Sequence, residues 1–120
     1  MTPRSMALLG YMYLNDGRIN NKQIVPYDWV KLSLTKTRKN DSKEWGALKD
    51  YNYGFLWWLG KMNGYNLFMA FGMGGQYIIN FPELQLIVVT TANRDVLWDN
   101  NQEVPILNMV SNYVLPAVNK

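Results

Sequence analysis

The sequence predicts an α+β domain in which an antiparallel β-meander is packed with N- and C-terminal helices. Three observations carry that reading. Helical apolar spacing opens the chain, extended aromatic and β-branched runs separated by short turn signals occupy residues 53–92, and helical spacing returns after residue 100. With 120 residues, one core and one domain spanning 1–120 are expected. Hydrophobic residues at 48% and charged residues at 18% exclude intrinsic disorder.

The first helix starts at Thr2-Pro3, where a hydroxyl can cap free amides and proline tolerates the first helical position. Met6, Leu9, Tyr13 and Leu14 recur at helical spacing with Gly10 on the same face, and Asn15-Asp16-Gly17 ends the run. Pro26 opens a second, short helix with Trp29, Val30 and Leu34 inward. Thr35 to Lys49 is polar and turn-rich and reads as loop, and the basic residues Lys31, Lys36, Arg38, Lys39 and Lys43 read as a solvated segment and not as a nucleic-acid surface.

Four extended runs follow, at 53–60, 65–72, 76–81 and 84–92. Asn63-Gly64 is a hairpin signal, because both residues tolerate positive φ, and Pro82-Glu83 marks the last turn. Asn100 with Glu103 resembles a capping box, after which Leu107, Val110, Val114 and Val118 mark one apolar face until Pro116 weakens or ends the helix.

Composition narrows the chemistry. The chain has no Cys and no His, which removes disulfides, thiolate nucleophiles, the commonest general base and the commonest metal ligands. Asp95, Asp99 and Glu103 match no metal-ligand spacing, so neither a metal nor a cofactor is expected. No apolar run has the roughly 18 to 20 residues of a membrane span, and the N-terminus lacks the layout of an export signal. Localisation stays open.

The densest signal is Gly72-Met73-Gly74-Gly75-Gln76, at the mouth of two apolar runs. Glycine permits positive φ and lets another group reach main-chain amides that a Cβ would screen. Such amides form half of an oxyanion hole in acyl-transfer enzymes, where one donor contributes roughly 2.7 to 4 kcal/mol. Taken alone, such a cluster is more often a bulge or tight turn.

Its context adds a resemblance. The helix ending in Tyr13-Leu14-Asn15-Asp16-Gly17, the following Lys22-Gln23-Ile24-Val25-Pro26, the run from Tyr53 to Leu59, and the segment from Gly72 to Glu83 together resemble the C-terminal part of a penicillin-recognising serine hydrolase. That superfamily includes β-lactamases, DD-peptidases, esterases and 6-aminohexanoate-oligomer hydrolases. The resemblance covers about Thr2 to Val118 and implies a partial β-lactamase/transpeptidase-like fold. It implies that the Met73 N–H is an oxyanion donor and that Phe71, Gly72, Gly74, Gly75 and Gln76 line the substrate site. Where many members carry Lys-Thr-Gly, this chain reads Ala70-Phe71-Gly72, which turns the expectation from β-lactams towards ester, amide or peptide bonds.

The family nucleophile sits in Ser-x-x-Lys, whose lysine needs burial to lower its pKa. Ser33-Leu34-Thr35-Lys36 is the one match; it lies in a polar context and in the wrong order relative to Tyr13-Leu14-Asn15, and reads as a coincidence. The expectation is therefore a chain that lacks its nucleophile and is inactive alone, with the missing part of the enzyme as its partner. The run at 86–91 would then be an open sheet edge that invites self-association. The rival reading is a non-catalytic module whose aromatic-rich sheet binds carbohydrate or protein. Trp57 and Trp58 read as core rather than cleft residues, and Tyr51, Tyr53 and Tyr65 as ordinary strand aromatics.

Overall fold

The computed structural model describes residues 1–35, 43–93 and 102–118 and is an α+β domain. Helix α1 (Pro3–Leu14) is capped as its sequence requires: the Thr2 hydroxyl accepts from the Ser5 amide at 3.2 Å, and Pro3 takes the first position. It ends where Asp16 (φ 57°) and Gly17 (φ 87°) turn left-handed and the Gly17 N–H donates to the Met12 carbonyl at 2.8 Å. A small hairpin follows, β1 (Arg18–Ile19) and β2 (Lys22–Gln23), closed by Asn20 and Asn21 at φ 51° and 64°. Two consecutive asparagines at positive φ make the two-residue turn that suits a twisted hairpin. Helix α2 is Tyr27–Ser33.

Five antiparallel strands in chain order form the main sheet: β3 (Lys49–Tyr53), β4 (Trp58–Met62), β5 (Tyr65–Gly72), β6 (Gln76–Phe81) and β7 (Leu86–Thr90). The expected meander had four runs, and the loop reading reached Lys49. The fifth strand, β3, forms because Tyr51 and Tyr53 pack their rings on Trp58, with centroids 5.8 and 4.7 Å apart. Cross-strand aromatic packing of this kind outweighs weak local propensity. Asn63 (φ 52°) and Gly64 (φ 82°) close the β4–β5 hairpin with Met62 opposite Tyr65, as the sequence predicts. The β6–β7 turn is one 3₁₀ turn, Pro82–Leu84.

Strand alternation sorts the sheet into two covered faces. Leu67, Met69, Tyr77, Ile79 and Phe81 meet Leu107, Val110 and Leu115 from the C-terminal helix in the larger core. On the opposite face Trp57, Leu59 and Phe68 pack with Tyr13, Leu14 and Leu34. Gly10 brings α1 down on β6 and β7; a Cβ there would fall 2.8 Å from Ile78 Cγ2 and 3.1 Å from Ile87 Cγ2. Every residue of β6 after Gln76 is buried, as expected of a strand covered on both sides. Asn80 interrupts this run: its Nδ2 donates to the Phe68 carbonyl at 3.5 Å, while its buried Oδ1 faces Gly10 without a hydrogen-bond donor.

The C-terminal helix corrects several expectations. Asn100 lies outside the described residues, and the helix begins at Glu103 after Gln102, with no side-chain cap. It continues through Pro116 as α3 (Glu103–Met109), a π turn (Val110–Val114) and α4 (Leu115–Val118). The reason is local. Pro116 lacks an N–H and its ring crowds the carbonyl one turn earlier, which a widened turn accommodates. The Leu115 N–H donates back to Val110, so the Ser111 carbonyl loses both helical donors. Asn63 replaces them: its Nδ2 donates to the Ser111 carbonyl at 2.8 Å and its Oδ1 accepts from the Ser111 hydroxyl at 2.6 Å. The extra residue in that turn also rotates the apolar face. Leu115 becomes fully buried, while Val118, expected inward, is 47% exposed.

One further inward assignment is overturned in α2. Val30 is buried as expected, but Trp29 is half exposed and stacks on Phe55 at 5.8 Å.

Candidate functional site

Residues 73–75 are the three-residue connection between β5 and β6, with Gly72 opposite Gln76 at its base. Two of its three amides are engaged. The Gly75 N–H donates to the Gly72 carbonyl at 3.4 Å, and the Gly74 N–H donates to Glu103 Oε1 at 3.1 Å. The Met73 N–H makes no hydrogen bond among the described residues, and the Met73 side chain is 73% exposed.

The helix that supplies Glu103 also explains the glycines. Gly74 and Gly75 have φ of 87° and 96°, values that other residues adopt only at a cost. A Cβ on Gly75 would fall 2.4 Å from Ile106 Cδ1. Positive φ and the close approach of α3 therefore account for Gly74 and Gly75 without a ligand. Gly72 has no such φ, and a Cβ there would sit 3.2 Å from that of Gln76.

Around the turn the polar groups are tied down. Thr90 Oγ1 donates to the Gly75 carbonyl at 2.7 Å and accepts from the Tyr77 amide at 3.2 Å. The Gln76 amide nitrogen donates to the Ala92 carbonyl at 2.5 Å, which commits this predicted substrate residue to holding the strand after β7. The Tyr77 hydroxyl donates to the Glu103 carbonyl at 3.2 Å; burial first, and then the Glu103 carboxylate, push its pKa above the ordinary tyrosine value. Phe71, also predicted to line the site, packs between Trp45 (4.9 Å, edge-on) and Tyr77 (5.3 Å). Glu103 and Tyr77 were not among the predicted site residues. Their roles depend on a contact between positions 74 and 103, which no local pattern encodes.

The turn can thus offer one unengaged backbone donor, beside an amide that already holds a carboxylate oxygen. No described serine accompanies it as a nucleophile. Ser33 is fully buried and its hydroxyl donates to the Trp29 carbonyl, while Lys36 lies outside the described residues. Ser5 bonds Thr2, and Ser111 bonds Asn63; Ser42 is outside the described residues. Among the described residues no three His, Asp or Glu side chains gather as a metal site, and Asp95 and Asp99 lie beyond them. No helix among the described residues is long and apolar enough to cross a membrane.

The aromatic sheet is largely self-engaged. Trp57 packs against Tyr13 and Phe68 on one face, and Trp58 against Tyr51 and Tyr53 on the other. Strand β7 pairs with β6 and has no second neighbour among the described residues. No protein-family model and no curated protein matches this chain.

Proposed function

We propose that this chain is the C-terminal segment of a serine hydrolase of the penicillin-recognising type, with a partial β-lactamase/transpeptidase-like fold. In this reading it acts on ester, amide or peptide bonds through an acyl-enzyme. It supplies the Met73 N–H to the oxyanion, and the nucleophile comes from polypeptide outside this sequence. The observation that carries the reading is the unengaged Met73 amide on an exposed turn whose neighbouring amide already binds a carboxylate oxygen. A group that develops negative charge at a carbonyl oxygen needs a donor fixed in advance, and the two engaged neighbours fix this one. Phe71 and Gln76 then shape the turn from behind.

The missing part would add its backbone along β7, where Leu86–Thr90 carries no charge, proline or register shift. Without that part, the same edge pairs with a second copy. Sedimentation across a concentration series checks this: association is expected, and a strict monomer at high concentration would remove the edge from the account.

The enzymatic reading is tested with a fluorophosphonate probe and a labelled penicillin. The isolated chain is expected to stay unlabelled. A longer in-frame polypeptide bearing a Ser-x-x-Lys helix is expected to react with the fluorophosphonate, and Met73→Pro, which deletes the N–H, to slow labelling by roughly a hundredfold or more. Labelling of the isolated chain, or indifference to Met73→Pro, would defeat the proposal.

A further inference from the structure

A second concave region lies away from the glycine turn. A cleft of about 380 Å³ opens between the end of α1, the β1–β2 hairpin and the start of α2. Asn15, Asp16, Arg18, Asn20 and Asn21 line it, together with two tyrosines, Tyr11 and Tyr27, which are 43% and 48% exposed.

Its polar groups are held in place by one side chain. The Gln23 amide nitrogen donates to the carbonyls of Asp16 at 2.8 Å and Val25 at 2.6 Å, and its oxygen accepts from Arg18 Nε at 2.9 Å. Gln23 thereby ties the loop after α1 to the hairpin and sets the plane of the Arg18 guanidinium. The two terminal nitrogens of Arg18 and the Asp16 carboxylate have no side-chain partner among the described residues. Lys31 Nζ lies 5.3 Å from the centre of the Tyr27 ring, which restrains that ring as well.

The chemistry of this set selects a ligand class. Asp16 and Arg18 cancel in charge, which disfavours a lone anion or cation. Planar carboxylate, guanidinium and amide groups each engage two adjacent hydroxyls at once, as donors, acceptors or both. Exposed tyrosine rings offer an apolar face with a polar tip. The volume lies near the lower end of small-molecule sites, roughly 300–1,000 Å³. We infer that the cleft bounded by Tyr11, Asp16, Arg18 and Tyr27 binds a neutral polyhydroxylated ligand, a mono- or disaccharide.

The test is a titration of the ¹⁵N-labelled full chain with glucose, galactose, N-acetylglucosamine and maltose, with glycine as a zwitterionic control. At least one sugar is expected to shift the resonances of residues 11–27 saturably. Arg18→Lys, which keeps the charge but loses the fork, and Asp16→Asn, which keeps the tolerance of positive φ, are each expected to weaken binding at least tenfold. No saturable shift with any sugar, shifts mapping elsewhere, or affinities unchanged in both variants would overturn the inference. Saturation by glycine alone would overturn it in favour of a zwitterion site. If either variant fails to fold, the wild-type map decides by itself.

Discussion

Replacing Gly75 by alanine tests why the central turn is glycine-rich. The native φ of 96° strains any side chain, at a cost of roughly 1–2 kcal/mol. The new Cβ would also fall 2.4 Å from Ile106 Cδ1, which must move, and such overpacking costs about another 1–3 kcal/mol. The two contributions separate in a double-mutant cycle. Ile106→Val removes Cδ1 and should itself cost about 0.5–1.5 kcal/mol. In that background Gly75→Ala should lose its steric part and retain its backbone part, leaving a coupling of about 1 kcal/mol or more. Urea unfolding followed by tryptophan fluorescence reads this directly, since Gly75→Ala alone should lower the midpoint by about 1–2 M for a protein of this size. A cost below about 0.5 kcal/mol, or the same cost in both backgrounds, would refute the reading that α3 and positive φ dictate the glycine, against the thresholds expected for neutral and independent changes.

Further outcomes follow from the same structure. Gly10→Ala should destabilise by about 1–3 kcal/mol, although alanine is the better helix former, because the methyl meets Ile78, Asn80 and Ile87; thermal melting checks the sign. The raised pKa of Tyr77 means that its neutral form stabilises the fold below the unfolded value near 10 and that this contribution is lost as pH rises above it. Comparing Tyr77→Phe with the parent should therefore show a stability gap that closes above pH 10. At neutral pH that gap is about 1 kcal/mol for the lost bond to the Glu103 carbonyl. Met73→Ala should leave stability within about 0.5 kcal/mol, since the side chain is mostly exposed.

What was legible in the sequence were features set by neighbours in the chain. Thr2-Pro3, Asn15 to Gly17 and Asn63-Gly64 fix their own backbone, and the extended apolar runs between Tyr65 and Thr90, broken by short turn signals, announce a sheet. What was not legible depended on contacts far apart in sequence. Strand β3 relies on Trp58 to hold its tyrosines. Trp29 looks like a core residue by type and period, yet its neighbour is the exposed Phe55. The glycine cluster was readable as a turn, but Glu103 and Ile106, which require it, lie about thirty positions away. The Asn20-Asn21 hairpin was the local signal left unread, because asparagine pairs are weaker hairpin markers than Asn-Gly.

The bond between Asn63 and the carbonyl of Ser111 links the histories of two distant positions. Pro116 creates the need that Asn63 answers. In a descendant where the proline gave way to alanine, the helix would regain its ordinary pitch and the asparagine would be free to become aspartate or glycine. Where the proline persists, a change at position 63 leaves that oxygen to solvent and unties the helix end from the hairpin. Covariation between a hairpin tip and a helix end is thus the trace this geometry should leave among relatives.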